Sequence, residues 1–469
     1  MIVGIVLIVV FLIVLFFGMP ISMGMGIGTL ASMIAGGYDF STLPMLIQKG
    51  ANSYTLISIP YFILAANIMN KGGITNRIFD FCESIVGWMH GGLAQVNVIS
   101  SVIFAGISGT SSADAAGLGM VEIEAMDRAG YDRKWSVGIT MASSILGPII
   151  PPSVGFIVYA SLAGVSASEL FVAGVVPGVI IAICLMVANY FIAISGKVAC
   201  PPPTKFDIKE VWRTFKEGFF ALMAPVILLV SLLGGFATAT ETGIIAVIYS
   251  LIASAIYREL HWKDLIATMK ETVESSAIIM FLIGMGYGIG YVLTLARIPH
   301  KLTEALLGVT TNKYLMLFLI IIFLTILGMF LEATVIRIIT VPLLLPILVA
   351  LDINLVHFGV VHTLVGLLGT TTPPVGSGLM IMSTVAKMKF SDVVKAFCRF
   401  GFRCLYLFLL SPTYLRSLCG FQTLSSDHKG YQSLNAKAPS ANERREPLHL
   451  QGYGANTTRR DVSVKPPRV

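Results

Sequence analysis

The sequence predicts an all-α integral membrane protein, and three observations support this fold class. Hydrophobic residues make up 55% of the 469 residues, charged residues only 12%, and the mean hydropathy is +0.84. Soluble domains contain roughly 25% charged residues. Several stretches are apolar enough to cross a hydrocarbon core of about 30 Å, where a helix satisfies its own backbone hydrogen bonds. Breaks in these stretches recur in both halves of the chain, which indicates an internal repeat.

The clearest membrane spans occur in both halves of the chain. They are residues 2–17, 170–194, 219–233 and 315–331. The first of them is apolar like a secretory signal, but it lacks a basic amino end and an A-x-A type cleavage site. It also leads directly into further apolar sequence. We therefore expect it to be a retained span.

The net charge of +7 lies entirely in the carboxyl-terminal part of the chain. Residues 399–469 contain eleven Lys or Arg and four acids, a balance of +7, so the preceding residues are neutral overall. Nucleic-acid binding requires a clustered basic face, which the apolar body lacks. The six cysteines show no C-x-x-C pair and no His at metal-ligand spacing, so we interpret them as packing residues.

Catalytic motifs are also missing from the sequence. It contains no H-E-x-x-H, no G-x-G-D and no Gly-rich loop ending in Gly-Lys-Ser or Gly-Lys-Thr. His357 and His362 are five residues apart, which does not suit a shared metal on a helix, so we expect packed or interfacial histidines. The protein is therefore expected to be no enzyme and to use no cofactor. An ion gradient or a partner must supply its energy.

Basic and non-basic loops alternate along the chain, as expected when Lys and Arg mark the cytoplasmic ends of spans. Basic residues gather in 128–134, 197–216, 258–270 and 387–395. No Lys or Arg occurs in 163–169, 234–243 or 351–363. Three segments mix charged and apolar residues at helical spacing and are predicted to be interfacial arm helices, namely 45–53, 71–88 and 297–311.

The internal repeat consists of two matched pairs of breaks. In the first half FAGISGTSSAD (104–114) is followed by LGPIIPPS (146–153). In the second half LGMFLEAT (327–334) is followed by LGTTTPPV (368–375). Each pair combines a small polar break with a downstream Gly-x-x-x-Pro-Pro break. The matching order is stronger evidence than either similarity alone.

The charge pattern predicts that the two halves have inverted topology, because the first pair lies beside a basic loop and the second beside an uncharged one. Each half would contain a re-entrant hairpin, roughly 90–126 and 314–350, and a helix broken at Pro-Pro. Interrupted spans at corresponding places in two halves indicate the binding site of a secondary transporter at the membrane midplane.

These features divide the chain into six predicted segments. They are scaffold spans with an arm helix (1–88), the first transport repeat (89–195), a cytoplasmic connection (196–216), further scaffold spans with an arm helix (217–313), the second transport repeat (314–397), and an atypical basic tail (398–469).

Two sodium sites are predicted, one in each repeat, because unwound carbonyls and hydroxyls supply oxygen ligands without burying a net charge. In the first repeat we expect ligands from Ser108, Ser111, Gly147, Ile150 and Pro152, near Gly109 and Thr110. In the second repeat we expect them from Gly328, Thr334, Thr370 and Thr372. The alternative is that these small residues only allow close helix packing.

A substrate carboxylate is expected at the same helix ends, whose N–H groups and dipoles favour anions. The predicted substrate residues are Ser112, Asp114, Glu332, Arg337, Thr371 and Gly376. Ionisable groups at membrane depth usually face a cavity or each other. A mutual salt bridge of Glu332 and Arg337, five residues apart, is left open. Asp114, Glu122, Glu124 and Glu241 are ambiguous, and solvated helix ends are favoured for those nearer loops.

These motifs resemble the large membrane subunit of TRAP transporters, the tripartite ATP-independent periplasmic family, over about residues 2–397. The similarity lies in the four breaks, in RAGYDR (128–133), and in HFGV (357–360) with TPPVG (372–376). It implies an elevator-type transporter of the bacterial inner membrane with sodium sites at the hairpin tips and facing breaks. It further implies a separate small four-helix membrane subunit and a soluble periplasmic substrate-binding protein.

The substrates implied by this resemblance are small carboxylates: C4-dicarboxylates, sialic and other sugar acids, or 2-oxo acids. Selectivity would reside largely in the soluble partner. A stand-alone sodium/anion symporter of related architecture is the main alternative. A membrane-embedded enzyme or a passive structural subunit represents a different class, and it predicts no sodium-dependent uptake.

The chain departs from the family pattern at two places. Arg337 replaces an expected apolar or small residue and would either adjust the charge preference for substrate or serve local packing. Beyond Phe397 the expected final span is interrupted by Arg399, Arg403 and Pro412. We expect a shifted reading frame or truncated gene there. The alternative is a basic tail that binds anionic membrane lipid.

Overall fold

The computed structural model describes residues 2–196, 198–203 and 205–400, and every regular element in this part of the chain is a helix. The predicted all-α membrane fold is therefore confirmed. The helices are α1 (Ile2–Phe16), α2 (Ile21–Gly36), α3 (Thr42–Ala51), α4 (Ser58–Lys71), α5 (Ile74–Val86), α6 (Gly92–Ser108), α7 (Ser111–Ala116), α8 (Leu118–Arg128), α9 (Arg133–Ser143), α10 (Val154–Ala163), α11 (Ala167–Ile194), α12 (Ile208–Leu233), α13 (Ala239–Tyr257), α14 (Trp262–Leu295), α15 (Ile298–Val309), α16 (Lys313–Gly328), α17 (Ala333–Ala350), α18 (Leu355–Thr370), α19 (Ser377–Val385) and α20 (Phe390–Phe400).

Five described helices are long and apolar enough to cross a membrane, and six shorter ones are also apolar. The long helices are α11, α12, α13, α14 and α17. The shorter ones are α1, α2, α6, α10, α16 and α18. The outer helices expose large apolar side chains such as Val176, Ile183 and Ile248. Such side chains suit contact with lipid rather than water.

In the first segment predicted as scaffold, α1 packs on α2, and α4 packs on α13. The 34-residue α14 contacts α2, α3 and α4 and so joins the two segments predicted as scaffold. Each of the three predicted arm segments contains a helix, namely α3, α5 and α15.

The helix α12 begins inside the segment predicted as a cytoplasmic connection. Asp207 caps its first turn by accepting a hydrogen bond from the Lys209 amide at 2.9 Å. Arg213 then pairs with Glu210 and Glu217, three and four residues away on the same helix. Caps and such pairs favour helix, which explains why the span extends beyond its apolar part.

The most enclosed part of the described chain surrounds the two broken helices. Every residue from Trp135 to Ser143 in α9 and from Phe358 to Thr370 in α18 is buried. The predicted tail boundary falls within α20, and the tail from residue 401 onward lies outside the described residues.

Candidate functional site at the two helix breaks

The first hairpin tip is a sharp turn between α6 and α7. Gly109 adopts a left-handed backbone with φ 64°, and the Thr110 hydroxyl caps α7 by accepting from the Ala113 amide at 3.3 Å. A Cβ added to Gly109 would lie 2.6 Å from the Pro152 carbonyl oxygen. Only glycine suits both the conformation and the space.

The first break faces this tip. It runs from Gly147 to Ser153, between a 3₁₀ turn (Ser144–Leu146) and α10. The amide of Val154 donates to the Gly109 carbonyl at 3.1 Å, and a Cβ on Gly147 would lie 3.1 Å from the Thr110 carbonyl. The structure therefore brings Gly147 and Pro152 against the tip, as the sequence pattern predicts.

The second tip and break meet in the same manner. Residues 329–332 separate α16 from α17, and the Met329 carbonyl accepts from the amides of Val375 at 3.2 Å and Gly376 at 3.1 Å. A Cβ added to Gly328 would lie 2.5 Å from the Gly369 Cα. Each tip is thus joined to its own break by backbone contacts.

Several predicted sodium ligands are buried beside these contacts. Ser108 is buried, and its hydroxyl has no hydrogen-bond partner in the described part of the chain. Gly147, Ile150, Pro152 and Gly328 are also buried, whereas Ser111 and Thr334 are half-buried. An enclosed hydroxyl without a partner is costly unless a ligand satisfies it.

The threonines of the second break are also enclosed. Their hydroxyls donate to carbonyls in the last turn of α18: Thr370 to Leu367 at 2.7 Å, Thr371 and Thr372 to Leu368 at 2.9 and 2.7 Å. A hydroxyl that donates its proton keeps lone pairs to accept a bond or bind a cation.

The six predicted substrate residues do not form one directly connected group. Asp114 and Arg337 are each only 2% exposed, and Thr371 is buried, whereas Ser112 and Glu332 are exposed. Gly376 is buried with φ 53°. No hydrogen bond or ion pair joins any two of the six within residues 2–400 as described.

Glu332 has a clear local role. Its carboxylate accepts from the Thr334 amide at 2.9 Å and from the Thr334 hydroxyl at 3.1 Å, so it caps α17. It forms no ion pair with Arg337, which answers the question that the sequence leaves open. A carboxylate at a helix N-terminus is stabilised by the helix dipole.

A buried polar network behind the first tip was not predicted. Asn97 on α6 donates to the Thr140 hydroxyl at 2.6 Å and accepts from the Ser143 hydroxyl at 2.7 Å. Ser100 donates to the Glu122 carboxylate at 2.6 Å. The available signal was the presence of Gln95, Asn97, Ser100 and Ser101 in an otherwise apolar helix.

Of the four acids that the sequence leaves ambiguous, two are not solvated helix ends. Glu122 and Asp114 are 1% and 2% exposed, because α8 and α7 pack against α6. The other two are solvated helix ends: Glu124 pairs with Arg128, and Glu241 forms a capping box with Thr238.

His362 is a packed histidine, as expected. It is fully buried, and its Nε2 lies 2.7 Å from the Thr340 hydroxyl oxygen. No group of three or more His, Cys, Asp or Glu suitable for a metal occurs in the described part of the chain. Any cation bound here would therefore depend on hydroxyl and carbonyl oxygens.

In each repeat, the helix that follows the break packs against the hairpin of the other repeat. The helix α10 follows the first break but packs against α17 of the second hairpin. The helix α19 follows the second break but packs against α7 of the first hairpin. Both breaks also contain a cis peptide bond between their prolines, Pro151–Pro152 and Pro373–Pro374. The two repeats are thus alike in contacts as well as in sequence.

Comparison with known proteins identifies the family to which the chain is similar. Residues 8–415 match the family described as the tripartite ATP-independent periplasmic transporter, DctM component, and the match extends into the predicted tail. The chain is 35% identical over 387 residues to the sialic acid TRAP transporter large permease protein SiaM of Vibrio cholerae, covering 81% of this chain and 89% of that protein.

Two further similarities cover most of the chain. The C4-dicarboxylate TRAP transporter large permease protein DctM of Vibrio cholerae is 32% identical over 422 residues, covering 85% of this chain and 92% of that protein. The crystal structure of the Alcanivorax borkumensis YdaH transporter superposes with a TM-score of 0.61 at 13% identity, covering 82% of this chain and 88% of that chain. The latter similarity supports the fold alone.

Proposed function

Since this chain belongs to the DctM component family of tripartite ATP-independent periplasmic transporters, we propose that it uses a sodium gradient to carry a small carboxylate into a bacterial cell. A periplasmic binding protein would deliver the substrate, and a small four-helix membrane subunit would complete the transporter. The family is one of transport components rather than enzymes.

The observation that carries the proposal is the pair of tip-to-break contacts. Each contact encloses backbone carbonyls and hydroxyls where a helix is interrupted, and neither site contains a cluster of acidic side chains among the described residues. Neutral oxygen ligands at broken helices are suited to sodium, and the adjoining helix amino ends are suited to an anion. With two equivalent sites, each repeat would bind at least one sodium ion, and the movement of these ions would be coupled to that of the substrate.

The substrate class is proposed from chemistry and from the named relatives together. The amino ends of α10 and α19, the helices that follow the two breaks, present backbone N–H groups that suit a carboxylate. One relative is named as a sialic acid permease and another as a C4-dicarboxylate permease. A C4-dicarboxylate, a sugar acid and a 2-oxo acid therefore form the first panel to test.

Reconstitution in proteoliposomes tests the proposal. The purified chain, the small membrane subunit and the binding protein should accumulate one labelled carboxylate under an inward sodium gradient. Replacing sodium by potassium on both sides should abolish accumulation. Equal uptake by the chain without the binding protein would support a stand-alone symporter instead. Absence of sodium-dependent uptake with every tested carboxylate, in vesicles where all components are folded, would contradict the proposal.

A further inference from the structure

Arg337 is a buried charge that forms no ion pair among the described residues. It lies on α17 and is only 2% exposed, and its Nε has no hydrogen-bond partner. The guanidinium forms no ion pair with any carboxylate in the described ranges; Glu332 acts on it electrostatically, but its carboxylate is hydrogen-bonded to Thr334 instead. A buried charge without a partner is strongly unfavourable. Its retention therefore requires a compensating group.

The guanidinium lies against the first turn of α10. A Cβ added to Gly155 would be 2.7 Å from Nη2 of Arg337 and 2.9 Å from its Cζ. Glycine at this position thus provides the space that the guanidinium occupies. The start of α10 carries the partial positive charge of a helix amino end, so two positive features lie side by side.

The amide groups at this helix start are not all used. The Val154 amide donates to the Gly109 carbonyl, and the Phe156 amide donates to the Ser153 hydroxyl at 3.2 Å. The Gly155 amide between them has no acceptor among the described residues. Unpaired donors from the backbone and from Arg337 therefore occur at one place.

Two of the helices that pack against α17 provide no negative charge, whereas α14 and α15 carry acids that are exposed or half-buried. Neither α10 nor α18, both of which pack against α17, contains an acidic residue, and α17 itself contains none. Among the nearby polar groups, the Tyr159 hydroxyl donates to the Leu355 carbonyl at 2.7 Å and Nε2 of His362 is paired with the Thr340 hydroxyl, whereas Nδ1 of His362 is buried without a partner in the part of the chain that the structure describes. The place has unpaired donors and positive charge, and no acidic group makes a hydrogen bond to the guanidinium among the described residues.

We propose that Arg337 and the Gly155 amide form a binding site for one anionic group. The group is either the carboxylate or sulfonate of the transported molecule or a small inorganic anion such as chloride. A guanidinium presents two parallel N–H donors to an oxyanion, and a helix amino end adds a third donor. The first source rests on the proposed function, whereas the second does not.

The unfolding temperature of the purified full-length protein in detergent tests this site without any transport. Choline chloride, choline acetate and choline methanesulfonate are titrated separately at constant low sodium. For the wild type we expect a saturable rise of about 4 °C with at least one anion. Arg337→Gln and Gly155→Ala should abolish it, the second because the new Cβ displaces the guanidinium. The control Arg128→Gln, at an exposed arginine, should retain it.

The pattern of responses distinguishes the two sources. A rise with chloride identifies an inorganic anion, and a rise with acetate or methanesulfonate alone identifies an acid group of the substrate. In the second case Arg337→Gln should also raise the transport KM about tenfold with unchanged sodium dependence. Without added anion Arg337→Gln should unfold at or above the wild-type temperature, because it removes an uncompensated charge.

Two results would overturn the site. One is an anion response that is equal in wild type, Arg337→Gln and Gly155→Ala. The other is a lower unfolding temperature of Arg337→Gln by the same margin at every anion concentration, which would indicate a packing role. Because these measurements need no uptake, they can contradict the anion site without contradicting sodium-driven transport. Uptake experiments can likewise contradict sodium-driven transport without contradicting the anion site.

Discussion

Asn97 on α6 donates a hydrogen bond of 2.6 Å to the hydroxyl of Thr140 on α9, and both residues are buried. This bond joins the first hairpin to the helix that leads into the first break. We expect Asn97→Leu to lower the free energy of unfolding by about 1–2 kcal/mol, because buried hydroxyls lose their partner. Chemical unfolding in mixed micelles measures the change.

A double-mutant cycle with Thr140→Val should give a coupling energy of about 1 kcal/mol. Ser231→Ala is the matched control, since that hydroxyl donates only within its own helix, to the Ile227 carbonyl at 2.7 Å. It should cost less than Asn97→Leu. Equal costs, or additive effects in the cycle, would show that the bond does not stabilise the hairpin.

The close approach of Gly328 and Gly369 gives a second prediction. A Cβ at Gly369 would collide with the Gly328 Cα, which is backbone and cannot move aside cheaply. Gly369→Ala should therefore lower the unfolding temperature by several degrees, or prevent folding, despite the better helix propensity of alanine. Size-exclusion profiles and thermal unfolding in detergent measure this.

Gly366→Ala on the same helix is the control for that change. A Cβ there would meet only the Ala333 Cβ, at an ordinary 3.7 Å. This variant should be neutral or slightly stabilising. If the two alanine variants behave alike, the second tip does not depend on the glycine contact.

The third prediction concerns the proposed sodium sites. Ser111→Ala and Thr372→Ala each remove a hydroxyl beside a helix break, so each should raise the sodium concentration for half-maximal uptake about three- to tenfold. Cys184→Ala, in the apolar α11, should leave it unchanged. Uptake in proteoliposomes at varied sodium gives the values. Unaltered sodium activation in both hydroxyl variants would remove the ion assignment.

The fourth prediction concerns the arm helix α5. Arg77 pairs with Glu259 at 2.7 Å, and its Cζ lies 3.9 Å from the centre of the Tyr257 ring. We expect Arg77→Met to lower the free energy of unfolding by about 1 kcal/mol, because the partly buried contact combines charge and stacking.

Arg128→Met is the comparison for this change, since Arg128 pairs only with exposed Glu124 at 3.3 Å. Such a surface pair should contribute at most about 0.5 kcal/mol. High salt should reduce the cost of Arg77→Met only in part. An Arg77 variant no less stable than the Arg128 variant would contradict the role of this contact.

The tips and breaks could be predicted from sequence because local chemistry determines them. Gly109 at a left-handed turn and the prolines of the Pro-Pro breaks interrupt helices wherever they occur in a chain. The internal repeat in the sequence predicted which tip faces which break. The all-α fold followed from composition and span length, since a membrane leaves few alternatives to helix.

Burial of the charged residues could not be predicted in the same way. Glu122 is near a loop in sequence, yet the packing of α8 against α6 encloses it. Arg337 lies beside Gly155 only because α17 packs on α10. Such contacts depend on how distant segments assemble, which neither helical periodicity nor charge alternation specifies.

In each repeat, the helix after the break packs against the hairpin of the other repeat, and this packing has a consequence for ligand binding. Because α10 packs against α17 and α19 packs against α7, a ligand that moved the helix after one break would also move a helix that contacts the opposite hairpin. Binding at the two places would then be thermodynamically linked, and each ligand would change the affinity for the other by the same factor. The equality of the two factors is a thermodynamic requirement, and the two helix contacts would be the direct physical route of the coupling.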